Sequence, residues 1–212
     1  MIQIDDAGSG SLIGGTCIGL YWVERNMYKY DFIPLDCYKP ENFKNKMYQE
    51  YVIEIISRFY KEMGIPEDEP IQLCQGYIFD ALREYLTLKN LPWKSVKIQG
   101  VLQEKVEKTF AKYSVSLGLP QNYIMYTNYP FHFHKLLRWV YADYDHRKCL
   151  CKTGWKSWQK YSDLPITTSY GIMKTSGCFC LKCGEKIKAR SPIKIMVFFS
   201  NKKNILCIHQ NC

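Results

Sequence analysis

Three observations predict an α/β fold with a mixed sheet, followed by a small Cys-rich β module. Residues 1–35 hold three runs of strand length and strand composition. Residues 71–117 hold one pattern twice: an apolar run, Gln-Gly, then a helical stretch. Residues 177–212 join a Cys-x2-Cys knuckle to two strand-like runs and a terminal His-x2-Cys. Apolar run followed by helix, repeated, argues for parallel strands joined by a crossover helix.

Met1-Ile2-Gln3-Ile4 opens as a strand and drops into Asp5-Asp6-Ala7-Gly8-Ser9-Gly10. Adjacent carboxylates at a strand end can hold a divalent cation, since hard cations take oxygen ligands, or they can simply begin a polar turn. The second strand is the apolar run from Thr16 to Val23, and the third is residues 27–35, where aromatic and polar positions alternate. The region of Asn26 is the hairpin turn between them. Pro40 starts a helix. Phe43, Met47, Tyr51, Ile55 and Phe59 then recur every four residues, predicting one amphipathic helix of about six turns that Gly64 ends. Short strands follow at Ile71-Gln72-Leu73-Cys74 and Val96-Lys97-Ile98, each leading through Gln-Gly into a helix, Tyr77 to Lys89 and Val101 to Leu117.

The chain is 47% hydrophobic and 15% aromatic, enough for a true core and unlike a disordered chain. No run approaches the roughly 18 apolar residues of a membrane span. No basic segment and apolar core precede the first strand, so no secretion signal is expected and a cytoplasmic setting is the reading. The net charge of +9 is unevenly placed: residues 121–212 carry 15 Lys/Arg against 4 Asp/Glu, a net of +11, which leaves −2 for residues 1–120. Such asymmetry suggests a near-neutral module followed by one that faces a polyanion, although a solvated basic surface would look the same. Of ten cysteines, Cys17, Cys37 and Cys74 lie in apolar stretches and read as small buried hydrophobes, while seven cluster between 149 and 212. Clustered cysteines without a secretion signal point to metal binding before disulfides.

Three strands, helix, strand, helix, strand, helix is an order that resembles the ribonuclease H-like superfamily over residues 1–118. Ile4-Asp5-Asp6-Ala7-Gly8 resembles the first-strand acid motif of its resolvases and related nucleases. The resemblance implies a ribonuclease H-like mixed five-stranded sheet with helices. It also implies carboxylates that hold two Mg²⁺ or Mn²⁺ ions for phosphodiester cleavage, one activating water and the other stabilising the leaving oxygen. Asp5, with Asp6 beside it, matches the first-strand position. Glu50, read as lying among core positions, is the first-helix match, with Glu54 second; Glu104 and Glu107 are the last-helix candidates. Each helix glutamate taken singly also fits a solvent-facing residue paired with lysine. The family expects an acid at the end of the fourth strand, where this chain has Cys74-Gln75-Gly76; Asp80, one turn on, is the substitute.

Residues 121–176 read as a basic aromatic connecting region between a domain at 1–120 and a module at 177–212. Tyr123-Ile124-Met125-Tyr126 reads as a strand and 131–141 as containing a helix. His132 and His134 alternate and would share a face on a strand, as structural residues rather than ligands. Lys152, Trp155, Lys156, Trp158 and Lys160 interleave cations with rings, a pattern that can pair phosphates and stack bases, or equally line a small core.

In the tail, Cys180-Leu181-Lys182-Cys183-Gly184 is followed by strands near 193–200 and 204–208 and then by His209-Gln210-Asn211-Cys212. Cys-x2-Cys, β-hairpin, His-x2-Cys resembles a treble-clef zinc finger and the nick-sensing fingers of poly(ADP-ribose) polymerases and some ligases. The expected structural Zn²⁺ ligands are Cys180, Cys183, Cys212 and either His209 or Cys207. Cys149, Cys151 and Cys178 with His146 are a weaker second set. The function these readings imply is nucleic-acid-acting, a divalent-metal-dependent nuclease or resolvase with a zinc-stabilised basic tail. The alternative is a non-catalytic nucleic-acid-binding or protein-interaction module on the same fold.

Overall fold

In the computed structural model, which describes residues 1–175 and 177–212, β1 (Ile2–Ala7) runs through the centre of a five-stranded sheet. β2 (Thr16–Trp22) pairs antiparallel with β1, and β3 (Met27–Ile33) antiparallel with β2. On its other side β1 pairs parallel with β4 (Ile71–Cys74), and β4 parallel with β5 (Trp93–Val96), giving the order β3-β2-β1-β4-β5. The α/β class, the mixed sheet and the separate small sheet are as the sequence patterns predict. β5 lies three residues earlier than expected, because its register runs from Ile71↔Trp93 to Cys74↔Val96.

Helices fill the gaps between strands. The single helix expected after Pro40 is two, α1 (Pro40–Lys44) and α2 (Met47–Met63), separated where Lys46 takes a left-handed backbone at φ 55°. The apolar spacing hides this break because Phe43 and Tyr48 stack across it, ring centroids 5.2 Å apart, so the side-chain pattern continues while the backbone does not. Gly64 ends α2 in the left-handed conformation, its N–H on the Tyr60 carbonyl. α3 (Asp80–Leu88) follows a 3-10 turn at Tyr77–Phe79, and α4 (Val101–Ser116) follows Gly100.

The chain divides into two compact units: Met1–Ser9, Gly14–Lys112 and Lys152–Trp155; and Gly10–Ile13, Tyr113–Cys151 and Lys156–Cys212. In the first, β1 alternates so that Ile2 and Ile4 face α2, packing with Ile18, Leu20, Val52, Ile55 and Phe59 in one buried cluster. Removing that area from water is the main stabilising term.

The second unit contains α5 (Gln121–Tyr126), α6 (Phe133–Ala142), α7 (Tyr144–Arg147), α8 (Lys156–Tyr161) and the antiparallel sheet β6-β7-β8 (Thr167–Ile172, Pro192–Phe199, Lys203–His209). Residues 123–126 are therefore helical and not a strand: the Pro120 carbonyl accepts from the N–H of both Tyr123 and Ile124, which starts the turn. His132 and His134 sit at the start of α6. The edge strand β6 was not legible, since nearly all of its residues are exposed and carry no alternation. Ser176, the last residue of the expected connecting region, lies outside the described residues. α6 packs on the small sheet through Tyr141 and Phe198, whose rings are 4.4 Å apart. Among the described residues no helix is long and apolar enough to cross a membrane.

Candidate functional site

The first unit gathers its chemistry where β1 ends. The last β1–β4 pair is Ile4↔Leu73, so the next residues, Asp5 and Cys74, emerge side by side. Ligand atoms of Asp5, Asp6 and Cys74 all lie within 4.8 Å of one another. Burial pushes the Asp5 carboxyl up to about 6, the Cys74 thiol and the Asp6 N–H oppose this by hydrogen bonding, and the negative charges of Asp6 and Glu107 add to it. Burial and the Asp5 carboxylate push the Cys74 thiol up to about 12, so it stays protonated. Asp6 is raised by burial, with Ser9 and the Lys152 charge opposing.

Two glycines let this corner form. Gly8 turns the chain at φ 89°, and a Cβ there would fall 2.1 Å from the Phe110 ring. Gly19 pairs opposite Asp5, and a Cβ on it would lie 2.2 Å from Val106 Cγ1. The bare strand thus lets Leu102 and Val106 of α4 settle on the sheet, which places Glu107 where its charge reaches Asp5.

The other expected acids do not join the group. Glu50 is exposed rather than set among core positions, because α2 starts only at Met47 and turns Gln49 inward instead. Gln49 is 4% exposed and donates to the Tyr77 carbonyl at 2.8 Å, a residue that sequence reasoning missed for want of a charge to flag it. Glu54 is also exposed. Glu104 is exposed and pairs with Lys108 at 3.6 Å; Glu107, also exposed, accepts from Gln103 at 3.0 Å. Gln75 is turned outward, because Arg83 donates to the carbonyls of Cys74 and Gly76 at 2.8 and 3.0 Å and fixes the bend around it. Arg83 also pairs with Asp80 at 2.5 Å, and Asp80 stays outside the group. Cys74, read as a core residue, is the β4 side chain that reaches Asp5.

Lys152 corrects the expected phosphate-binding surface. It is fully buried in the first unit, donating to the Gly8 carbonyl at 2.6 Å and to Thr16 Oγ1 at 3.1 Å. Its ammonium lies 4.4 Å over the Tyr38 ring and 5.2 Å from that of Trp155. Burial lowers it to about 7, against the pull of Asp6. A lysine so enclosed steadies the acidic turn and cannot reach a phosphate in solution. In the second unit Trp158 is buried and stacks on Tyr144, centroids 6.4 Å apart, while Lys156 and Lys160 on α8 are exposed cations.

The second unit builds a separate centre. Ligand atoms of Cys180, Cys183, His209 and Cys212 lie within 4.8 Å of one another. The sulfurs of Cys180 and Cys212 are 3.8 Å apart, and His209 Nδ1 is 3.3 Å from Cys183 Sγ and 3.6 Å from Cys212 Sγ. A tetrahedral ion about 2.3 Å from each sulfur sets sulfurs about 3.8 Å apart, so this group can hold a metal ion such as zinc. Burial raises the Cys180 thiol, but the N–H groups of Cys183, His209 and Lys182 outweigh it and bring it down to about 7. Burial and the sulfurs of Cys183 and Cys180 push Cys212 up to about 12. Arg147 locks the knuckle in place. Its guanidinium donates to the carbonyls of Trp139 (2.6 Å), Leu181 (2.9 Å) and Lys182 (2.7 Å), and stacks 3.9 Å over Trp139. No sequence signal marked it.

Of the alternative ligands, Cys207 stays in β8 opposite Ile195 and outside the group. The weaker set does not assemble among the described residues: His146 pairs with Asp143, and Cys151 is buried with its thiol on the Arg147 carbonyl. No protein-family model and no curated protein matches the chain.

Proposed function

We propose that this protein acts on nucleic acid, with a ribonuclease H-like first unit that presents Asp5 and Asp6 to a divalent cation and a zinc-stapled basic second unit that grips the polyanion. The observation that carries the reading is the position of the carboxylate pair. It stands at the end of the central strand of a sheet ordered β3-β2-β1-β4-β5, beside the end of the parallel strand β4. That is where this superfamily keeps its metal-binding acids.

The donor set fits one hard cation, with two carboxylates as ligands and Cys74 as a neutral neighbour. Mg²⁺ or Mn²⁺ bound there would activate water and stabilise a leaving oxygen. The chain's own groups prepare the corner: Cys74 and the Asp6 N–H orient Asp5, while Ser9 and Lys152 hold Asp6. Zn²⁺ at the Cys180, Cys183, His209 and Cys212 group would serve the fold, as in treble-clef and nick-sensing fingers, because all four positions are taken by protein ligands.

The test is Mg²⁺- or Mn²⁺-dependent cleavage of branched and linear labelled DNA and RNA, which Asp5→Asn should abolish. Cleavage that survives Asp5→Asn would refute the reading. A second reading, binding without cleavage, is favoured by one observation: Cys74 occupies the β4 position where an acid is expected, and Glu50 and Glu104 stay outside the group. It predicts wild-type binding with no product under any divalent cation.

A further inference from the structure

The second unit also contains a groove of about 320 Å³ to which nothing above assigns a role. Its walls come from α5, α6, β8 and the knuckle, through Tyr123, Tyr126, Lys135, Arg138 and Phe179, and no Asp or Glu lines it. Two features define what it accepts. The first is charge: the second unit carries 14 Lys/Arg against 4 Asp/Glu, a net of +10, and two of those cations stand in the groove. The second is a ring platform. Tyr126 is 70% exposed and lies parallel to Phe179 within 3°, ring centroids 6.0 Å apart.

The groove is also held in shape before any ligand arrives. Arg138 donates to the Ile205 carbonyl at 3.0 Å, and the Tyr123 hydroxyl donates to the Lys135 carbonyl at 2.7 Å. Preformed shape lowers the ordering cost of binding. The volume is at the low end for a small-ligand site, roughly 300–1,000 Å³, which suits one nucleotide unit at a time. Any nucleobase offers a π-face to stacked rings, and a backbone phosphate pairs with nearby cations. An acidic peptide would satisfy Lys135 and Arg138 but leave the ring platform without a planar partner.

We propose that this groove binds single-stranded nucleic acid, with a base against the Tyr126–Phe179 pair and its phosphate on Lys135 and Arg138. The proposal rests on the nucleic-acid reading but not on the acidic corner of the first unit. The experiment is fluorescence anisotropy of a fluorescein-labelled oligothymidylate on the full zinc-loaded chain. Wild type is compared with Tyr126→Ala, Lys135→Gln and, as an exposed control in the first unit, Lys94→Gln.

Loss of one stacking ring should weaken binding about tenfold or more. Removing one phosphate contact should shrink the slope of log affinity against log salt by about 0.7. Lys94→Gln should match wild type, and polyglutamate should compete far more weakly than unlabelled oligothymidylate. Wild-type binding that Tyr126→Ala and Lys135→Gln leave unchanged overturns the groove while the nucleic-acid reading stands. Polyglutamate competing as well as the oligonucleotide overturns it in favour of an acidic protein partner. A wild-type chain that binds no oligonucleotide at low salt overturns both.

Discussion

Asp5→Asn should make the protein more stable at neutral pH, although it removes the residue on which the proposed chemistry depends. Burial pushes the Asp5 carboxyl from 3.8 to about 6 in the folded chain. A tenfold change in proton affinity is worth about 1.4 kcal/mol, so carrying the ionised group costs the folded state about 3 kcal/mol at neutral pH. Between the two values the native state holds a proton that the unfolded state has released. Stability therefore falls as pH rises through that window, and levels off above about pH 6. The amide keeps the size and drops the charge, so the variant escapes this cost. The assay is scanning calorimetry across pH on protein freed of Mg²⁺ and Mn²⁺ with its zinc retained. Near pH 7.5 the first unit of the variant should melt several degrees above wild type, at roughly 2–4 °C per kcal/mol for a chain of this size. The gap should close towards pH 4. Added Mn²⁺ should raise the wild type alone, since only a ligand that favours the native state shifts the equilibrium. A variant that is less stable than wild type at neutral pH, or a gap that widens on acidification, would refute the reasoning.

Zinc content should fall from about one equivalent to none in Cys183→Ser, with the second unit unfolding before the first, because metal binding there is folding free energy; full zinc by mass spectrometry in the variant would count against the four-ligand centre. Arg147→Met leaves the carbonyls of Trp139, Leu181 and Lys182 without their shared donor. It should cost about 2–4 kcal/mol in denaturant unfolding and weaken zinc retention against a chelator, and a loss under 1 kcal/mol would show the clamp to be idle. Gly19→Ala forces a Cβ to 2.2 Å from Val106 Cγ1. It should cost about 1–3 kcal/mol by overpacking, read by denaturant unfolding, and a variant as stable as wild type would count against the close approach of α4 to the sheet.

Much of the first unit was legible because its signals are local and periodic. The strand-like run Met1 to Ile4, the four-residue spacing of Phe43 to Phe59 and the capping Gly64 all write secondary structure into neighbouring residues. The Cys-x2-Cys and His-x2-Cys spacings did the same for the metal group, since thiolates and an imidazole seldom gather otherwise. What failed was information carried by tertiary contacts. The break at Lys46 was masked by the Phe43–Tyr48 stack, and it moved the helix phase enough to turn Gln49 inward and Glu50 out. At the end of the fourth strand the spacing alone does not say which of Cys74 and Gln75 stands beside the acids. Arg83, several residues later, binds the carbonyls on either side of Gln75 and turns it away. Lys152 shares its sequence pattern with the exposed Lys156 and Lys160, and nothing local says that it folds back onto Gly8.

That buried lysine is one of the groups that let two adjacent carboxylates stand at one strand end, after the Ser9 hydroxyl. Neighbouring residues on a strand point to opposite faces, so Asp5 and Asp6 leave β1 on different sides, and at the strand end their carboxylates still come within 4.8 Å of each other. Asp5 emerges on the face where Gly19 admits α4, and its company is Cys74 and the charge of Glu107. Asp6 emerges towards Ser9 and Lys152, whose hydrogen bonds and positive charge oppose the effect of its burial. With no cation bound, the corner holds one acid with a compensating lysine and one without. The uncompensated one, Asp5, is raised into the range where modest acidification protonates it, and a divalent ion offers it the charge partner that the fold withholds. The asymmetry gives the carboxylates separate duties. Asp6 is the ligand that Ser9, Lys152 and the Gly8 turn tie to the scaffold. Asp5 is the ligand whose ionisation waits on a metal, so its removal should cost metal binding while the fold gains stability.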